Sequence, residues 1–77
     1  MNNVNQQLLK KFGENIAKIR EVKKLSLRQV ASRCNLDNGN ISKIEKGVVD
    51  IRISTLVELS NGLGVHPKKL LDFEMNG

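Results

Sequence analysis

The chain has 77 residues, enough for a single small domain, and its one cysteine (Cys34) and one histidine (His66) exclude a disulfide framework and a zinc shell. Its hydrophobic content of 39% fits a small globule rather than a disordered tail, and no apolar run approaches the roughly 18–20 residues of a membrane span. The net charge of +5 is one-sided: ten of the thirteen Lys and Arg lie between Lys10 and Lys46, against four of the eight Asp and Glu. Such a basic half is a candidate for polyanion binding, nucleic acid foremost, with ordinary solubility charge as the alternative.

Helical periodicity dominates, and strand signals are weak. A first helix is predicted from about Gln6 to Lys23, after a short flexible N-terminus at residues 1–5. Leu9, Phe12, Ile16, Ile19 and Val22 form its apolar stripe at spacings of three and four. Ser26 is a good N-cap for a second helix from about Leu27 to Cys34, with Val30, Ala31 and Cys34 facing inward. Asn35, which tolerates a left-handed conformation, is expected to end it, and Leu36 to be a buried turn residue. Asp37 caps a third helix from about Asn38 to Lys46, which Gly47 ends. A fourth begins near Arg52 to Ser54, carries Ile53, Leu56, Val57, Leu59 and Leu63, and stops at Gly64. A short fifth runs from about Pro67 to Phe73, with Pro67 at its first position and His66 as a mediocre cap.

Two aromatic residues, Phe12 and Phe73, cannot build a base-stacking platform for single strands. There is no evident nucleophile–base pair and no phosphate-cradling glycine loop, so neither an enzyme nor a cofactor is expected. The opening MNNVNQQ has no apolar core of a secretory signal, and the single cysteine suits a reducing cytoplasm. Cys34 is read as a packing residue.

The stretch from Leu25 to Gly47, LSLRQVASRCNLDNGNISKIEKG, is the informative one. It resembles the Cro/repressor-type helix-turn-helix family, the XRE-like DNA-binding domains of phage and bacterial regulators. The resemblance rests on Leu25 and Ser26, Ala31, Asn35, Leu36 and Asp37, then Ile41, Ser42, Ile44, Glu45 and Gly47. It extends to FGENIAKIR (Phe12 to Arg20) and to STLVELSNGLGV (Ser54 to Val65). It implies a single compact all-α domain, five-helix and lambda-repressor-like, with the helix-turn-helix at about 27–46. It further implies a sequence-specific regulator of double-stranded DNA, with repression the expected sign, reading near-palindromic operators as a homodimer.

By the same resemblance, the third helix lies in the major groove. Asn38, Gly39, Asn40, Ser42 and Lys43 then face base edges. An Asn amide can bond adenine at N6 and N7, and Lys43 can reach guanine, or a phosphate if it points outward. Phosphate contacts fall to Arg28, Gln29, Lys46 and Arg52. Arg20 and Glu45 match family positions that form a structural ion pair. Three departures stand out. Gly39 replaces a side chain, which either permits close approach to DNA or reads nothing. Leu27 stands where a phosphate-holding Gln is common. The loop Val48 to Ile51 is apolar and acidic where phage repressors are basic.

One recognition helix covers too few base pairs for a genome, so a second copy is expected. Leu70, Leu71, Phe73 and Met75 are the expected dimer surface, with closure of the monomer core as the alternative for Leu70 and Phe73. A small phage-type repressor, a restriction–modification controller and an antitoxin all fit. The competing reading is an antitoxin or coactivator-like module that holds a protein partner, such as a toxin or polymerase. No membrane partner is expected.

Overall fold

Local capping chemistry sets where the helices begin. The computed structural model describes residues 3–74. It contains α1 (Asn3–Val22), α2 (Leu27–Ala31), α3 (Asn38–Glu45), α4 (Ile53–Leu63) and a closing 3-10 turn at Pro67–Leu71. Before α2, Ser26 and Gln29 form a capping box. The Ser26 hydroxyl accepts the Gln29 N–H at 3.1 Å, and the Gln29 Oε1 accepts the Ser26 N–H at 2.7 Å. Before α3, the Asp37 Oδ1 accepts the Asn40 N–H at 2.7 Å. Arg52 occupies the cap position of α4 without a side-chain cap bond, and the helix starts at Ile53. Gly47 and Gly64, at φ 72 and 71, turn the chain out of α3 and α4 as left-handed glycines.

Eight apolar side chains close the core: Phe12, Ile16, Val30, Ile41, Ile44, Leu59, Leu63 and Leu70. They come from all four helices and the final turn, so the core is the crossing point of the whole chain. α1 lies against α3 and the final turn, and α2 lies against α3 and α4. The radius of gyration, 11.6 Å, is that of a well-packed chain of this length. Among the described residues, no helix is long and apolar enough to cross a membrane.

Several sequence expectations need correction. The described residues form four α-helices, not five. The last element is a 3-10 turn, closed by i to i+3 bonds from Lys69 N–H to His66 O and from Asp72 N–H to Lys69 O, and Asn15 Nδ2 donates to both Lys69 O and Leu70 O at 3.0 Å. The adjacent cations Lys68 and Lys69 also oppose the helix dipole at that start. α1 begins at Asn3, so residues 3–5 extend the helix. The remainder of the expected flexible N-terminus, residues 1 and 2, lies outside the described residues. α2 ends at Ala31 rather than Cys34, and two tight turns follow: Arg33 N–H to Val30 O, and Cys34 N–H to Ala31 O.

Those turns reverse the chain without a left-handed residue, so Asn35 does not have the expected positive φ. Among the described residues, Lys24, at φ 58, is the one non-glycine residue that does, at the exit from α1. Leu36 is half-buried rather than buried. Three residues assigned to apolar stripes face outward: Val22 (73% exposed), Ile53 (78%) and Val57 (42%). Val22 falls on the last turn of α1, beyond the elements that cover Ile16 and Ile19. Ile53 and Val57 are four residues apart and share a face of α4 away from Leu59 and Leu63.

Candidate nucleic-acid interface

The helix-turn-helix is α2, the turn through 32–37, and α3. α3 has two faces with different physics. Its inner face carries Ile41 and Ile44, both buried. Its C-terminal end lies directly on α1: a Cβ at Gly13 would sit inside the van der Waals radii of the Ile44 and Glu45 carbonyl oxygens. Only glycine permits this crossing. Just beyond, a Cβ at Gly47 would lie 2.6 Å from the Lys10 Cα, so the exit from α3 is also in backbone contact with α1.

Arg20 completes this seat. Its Nε donates to Glu45 Oε2 at 2.7 Å, and its Nη2 donates to Glu45 Oε1 at 3.1 Å. Its Nη1 donates to the Leu25 carbonyl at 2.9 Å. One guanidinium therefore holds the end of α3 and the approach to α2 together. The side chains are only 16% and 12% exposed, so the fork works in a poorly solvated position. The hydrogen bond and the charge of Glu45 raise the Arg20 pKa above its ordinary value, against a smaller lowering by burial. A cationic group raised in the folded state gives stability that is complete below its unfolded pKa. On the arginine side, the pair therefore weakens only in strongly alkaline solution.

The other end of α3 is fixed by two carboxylates. Asp37 caps it. Glu58, from α4, accepts the Asn35 N–H at 3.0 Å and so ties the turn to the next helix. From there the outer face opens to solvent. Asn38, Gly39, Asn40, Lys43 and Lys46 are all exposed, and Ser42 is half-buried. The side chains of Asn38, Asn40, Lys43 and Lys46 make no hydrogen bond or ion pair among the described residues. The residues expected to contact bases are thus exposed around the turns of α3, with Ser42 half-buried among them.

The phosphate set lies around this surface. Arg28 is exposed in the first turn of α2. Gln29 has its carbonyl committed to the capping box, which leaves only its amide nitrogen to donate elsewhere. Lys46 is the C-cap of α3. Arg52 and Asn40 line one open groove of about 310 Å³, together with Leu36, Val49 and Ile51. The apolar loop has a physical reason: Val49 and Ile51 pack against the core, and of its apolar residues Val48 is left exposed. Cys34 is half-buried, its Sγ donating to Val30 O at 3.4 Å.

The expected dimer surface loses one of its members. Leu70 is fully buried within the monomer, and Phe73 is half-buried with its ring edge-on to Phe12 at 6.4 Å. Leu71 remains exposed, and Met75 lies outside the described residues. Sequence reasoning missed Gly13, Glu58 and the Leu25 carbonyl. A glycine amid the apolar stripe of α1 was a usable signal for the first. The other two are long-range pairings with no local signature.

A rigidly seated short helix that turns an unpartnered polar and basic face to solvent defines a class, the DNA-binding regulators of the helix-turn-helix kind. Comparison with known proteins agrees. Residues 13–74 match the model of the helix-turn-helix domain family. The chain is 37% identical over 67 residues to the control protein C.BamHI of Bacillus amyloliquefaciens, covering 86% of this chain and 83% of that one. The restriction-modification controller protein C.AhdI from Aeromonas hydrophila superimposes with a TM-score of 0.76 at 27% identity, covering 80% of this chain and 94% of its own. The controller C.Esp1396I, solved as a tetramer in complex with its natural 35 base-pair operator, gives a TM-score of 0.73 at 32% identity, covering 84% and 96%. The chain belongs to the helix-turn-helix domain family.

Proposed function

We propose that this protein is a sequence-specific transcriptional regulator of double-stranded DNA, of the restriction-modification controller kind, acting in the cytoplasm. One observation carries the reading: the outer face of α3 is polar, exposed and without internal partners, while the rest of the helix is locked to the body. Side chains with no part in the fold are free to bond base edges. Asn38 and Asn40 offer amides that suit adenine, and Lys43 suits guanine O6 or N7. Arg28, Gln29, Lys46 and Arg52 flank them as phosphate contacts that position the helix.

The protein reads its operator as a two-fold pair. The exposed pair Ile53 and Val57 on α4 supports pairing with a second copy through that helix, in place of the buried Leu70. Its position beside the groove that Arg52 and Asn40 share keeps the pairing surface close to α3. A C2 pair doubles the base contacts and sets two half-sites about one turn, roughly 34 Å, apart.

Selection from a pool of random duplex DNA tests this reading. The native chain is expected to enrich an inverted repeat. Asn38→Ala and Lys43→Ala should each lose base preference at one position per half-site, with about tenfold or greater loss of discrimination there. Absence of any enriched sequence, or identical motifs for all three proteins, sinks the assignment.

A further inference from the structure

Four of the five glycines among the described residues have a reason in the fold. Gly13 and Gly62 leave no room for a Cβ, against the carbonyls of Ile44 and Glu45 in one case and Val30 in the other. Gly47 and Gly64 have φ of 72 and 71. Gly39 has neither reason. Its φ is not positive, and a Cβ built on it would meet only Asp37 Oδ1, at an ordinary contact distance of 3.4 Å. It is exposed, in the first turn of α3. The fold admits alanine there, and alanine is the better helix former. At this one position the sequence works against its own helix.

The seat of α3 gives that choice a direction. The helix cannot retreat, because Ile41 is fully buried, Gly13 is in backbone contact and Glu45 is held by Arg20. A side chain added at residue 39 therefore projects outward, from the same turn as Asn38 and Asn40. Any space it needs comes from whatever lies against that face. We infer that Gly39 is a specificity-determining position. Its missing side chain lets the first turn of α3 seat against the base-pair edges, close enough for Asn38 and Asn40 to make their contacts. Even one methyl group there holds the helix off the groove floor. The inference rests on the DNA-reading role of α3 and adds that close approach, rather than loss of readout, is what the glycine provides.

The test compares the native chain with Gly39→Ala. The probes are the duplex that the native chain selects from a random pool and an unrelated duplex of equal length. Thermal unfolding without DNA is expected to shift upward by about 4 °C for Gly39→Ala, from helix propensity. Affinity for the selected duplex is expected to fall at least tenfold, while affinity for the unrelated duplex stays within twofold. A more stable variant that binds the selected duplex as tightly as the native chain overturns the inference and leaves the DNA-reading role standing. A lowered unfolding temperature also overturns it, because the site is then not open within the fold. A native chain that selects no duplex defeats the DNA-reading role itself, a result distinct from either.

Discussion

The two ends of α3 are built by different means. The C-terminal end is clamped by backbone contact at Gly13 and Gly47 and by the Arg20 fork on Glu45. The N-terminal end is held by one cap from Asp37 and, across the turn, by the Glu58 carboxylate on the Asn35 N–H. The strong clamp lies away from Asn38 and Asn40, the first of the residues proposed to read bases, and the lighter fixings lie beside them, while Lys43 stands next to the clamp in the last turn of α3. Orientation is thus set chiefly at the C-terminal end, and the first base contacts are offered at the other. The contrast gives each end a distinct mutational signature, a large loss of stability at the clamp and a smaller one at the cap.

Removing one partner of the clamp is the largest expected effect. Glu45→Leu should lower stability by about 3 kcal/mol, because Arg20 is left charged and poorly solvated. Arg20→Met with Glu45→Leu should recover most of that stability in urea unfolding, yet leave DNA affinity reduced, because orientation is lost. Full recovery of both would break the division between the two ends. Next comes Gly13→Ala, where crowding against two carbonyl oxygens outweighs the gain in helix propensity. A net loss of about 2 kcal/mol in the same assay is expected. A neutral result would mean that α1 and α3 can part without consequence. The smallest is Asp37→Ala at the other end, about 1 kcal/mol. A loss equal to that of Glu45→Leu would erase the contrast.

Much of this was legible in the sequence, for reasons that can be stated. Ser26, Asp37, Gly47 and Gly64 mark element ends through chemistry local to a few residues, and each stands at its cap or turn. Arg20 and Glu45 were paired through a resemblance, since nothing in 25 residues of separation announces the contact. Outward-facing apolar residues were not legible. Ile53 and Val57 carry the same helical spacing as buried residues, and only the packing of α4 shows which stripe the core takes. The end of the chain misled in the same way. Leu70 and Phe73 looked surplus to a short helix, and the core absorbs them because Asn15 anchors the turn that carries them. Asn35 shows the limit of residue preference: it tolerates a left-handed turn, but α2 ends early enough that none is needed.

The outer face of α3 is thermodynamically uncoupled from the body beneath it. Asn38, Asn40, Lys43 and Lys46 contribute no internal bond, so exchanging them leaves folding nearly untouched. A lineage carrying this domain can therefore change the sequence it reads in single steps, without passing through unstable intermediates. The same property makes the scaffold an interchangeable reading head. Faces taken from relatives can be installed on one unchanged body and compared for what they recognise, with helix propensity as the main remaining difference in stability.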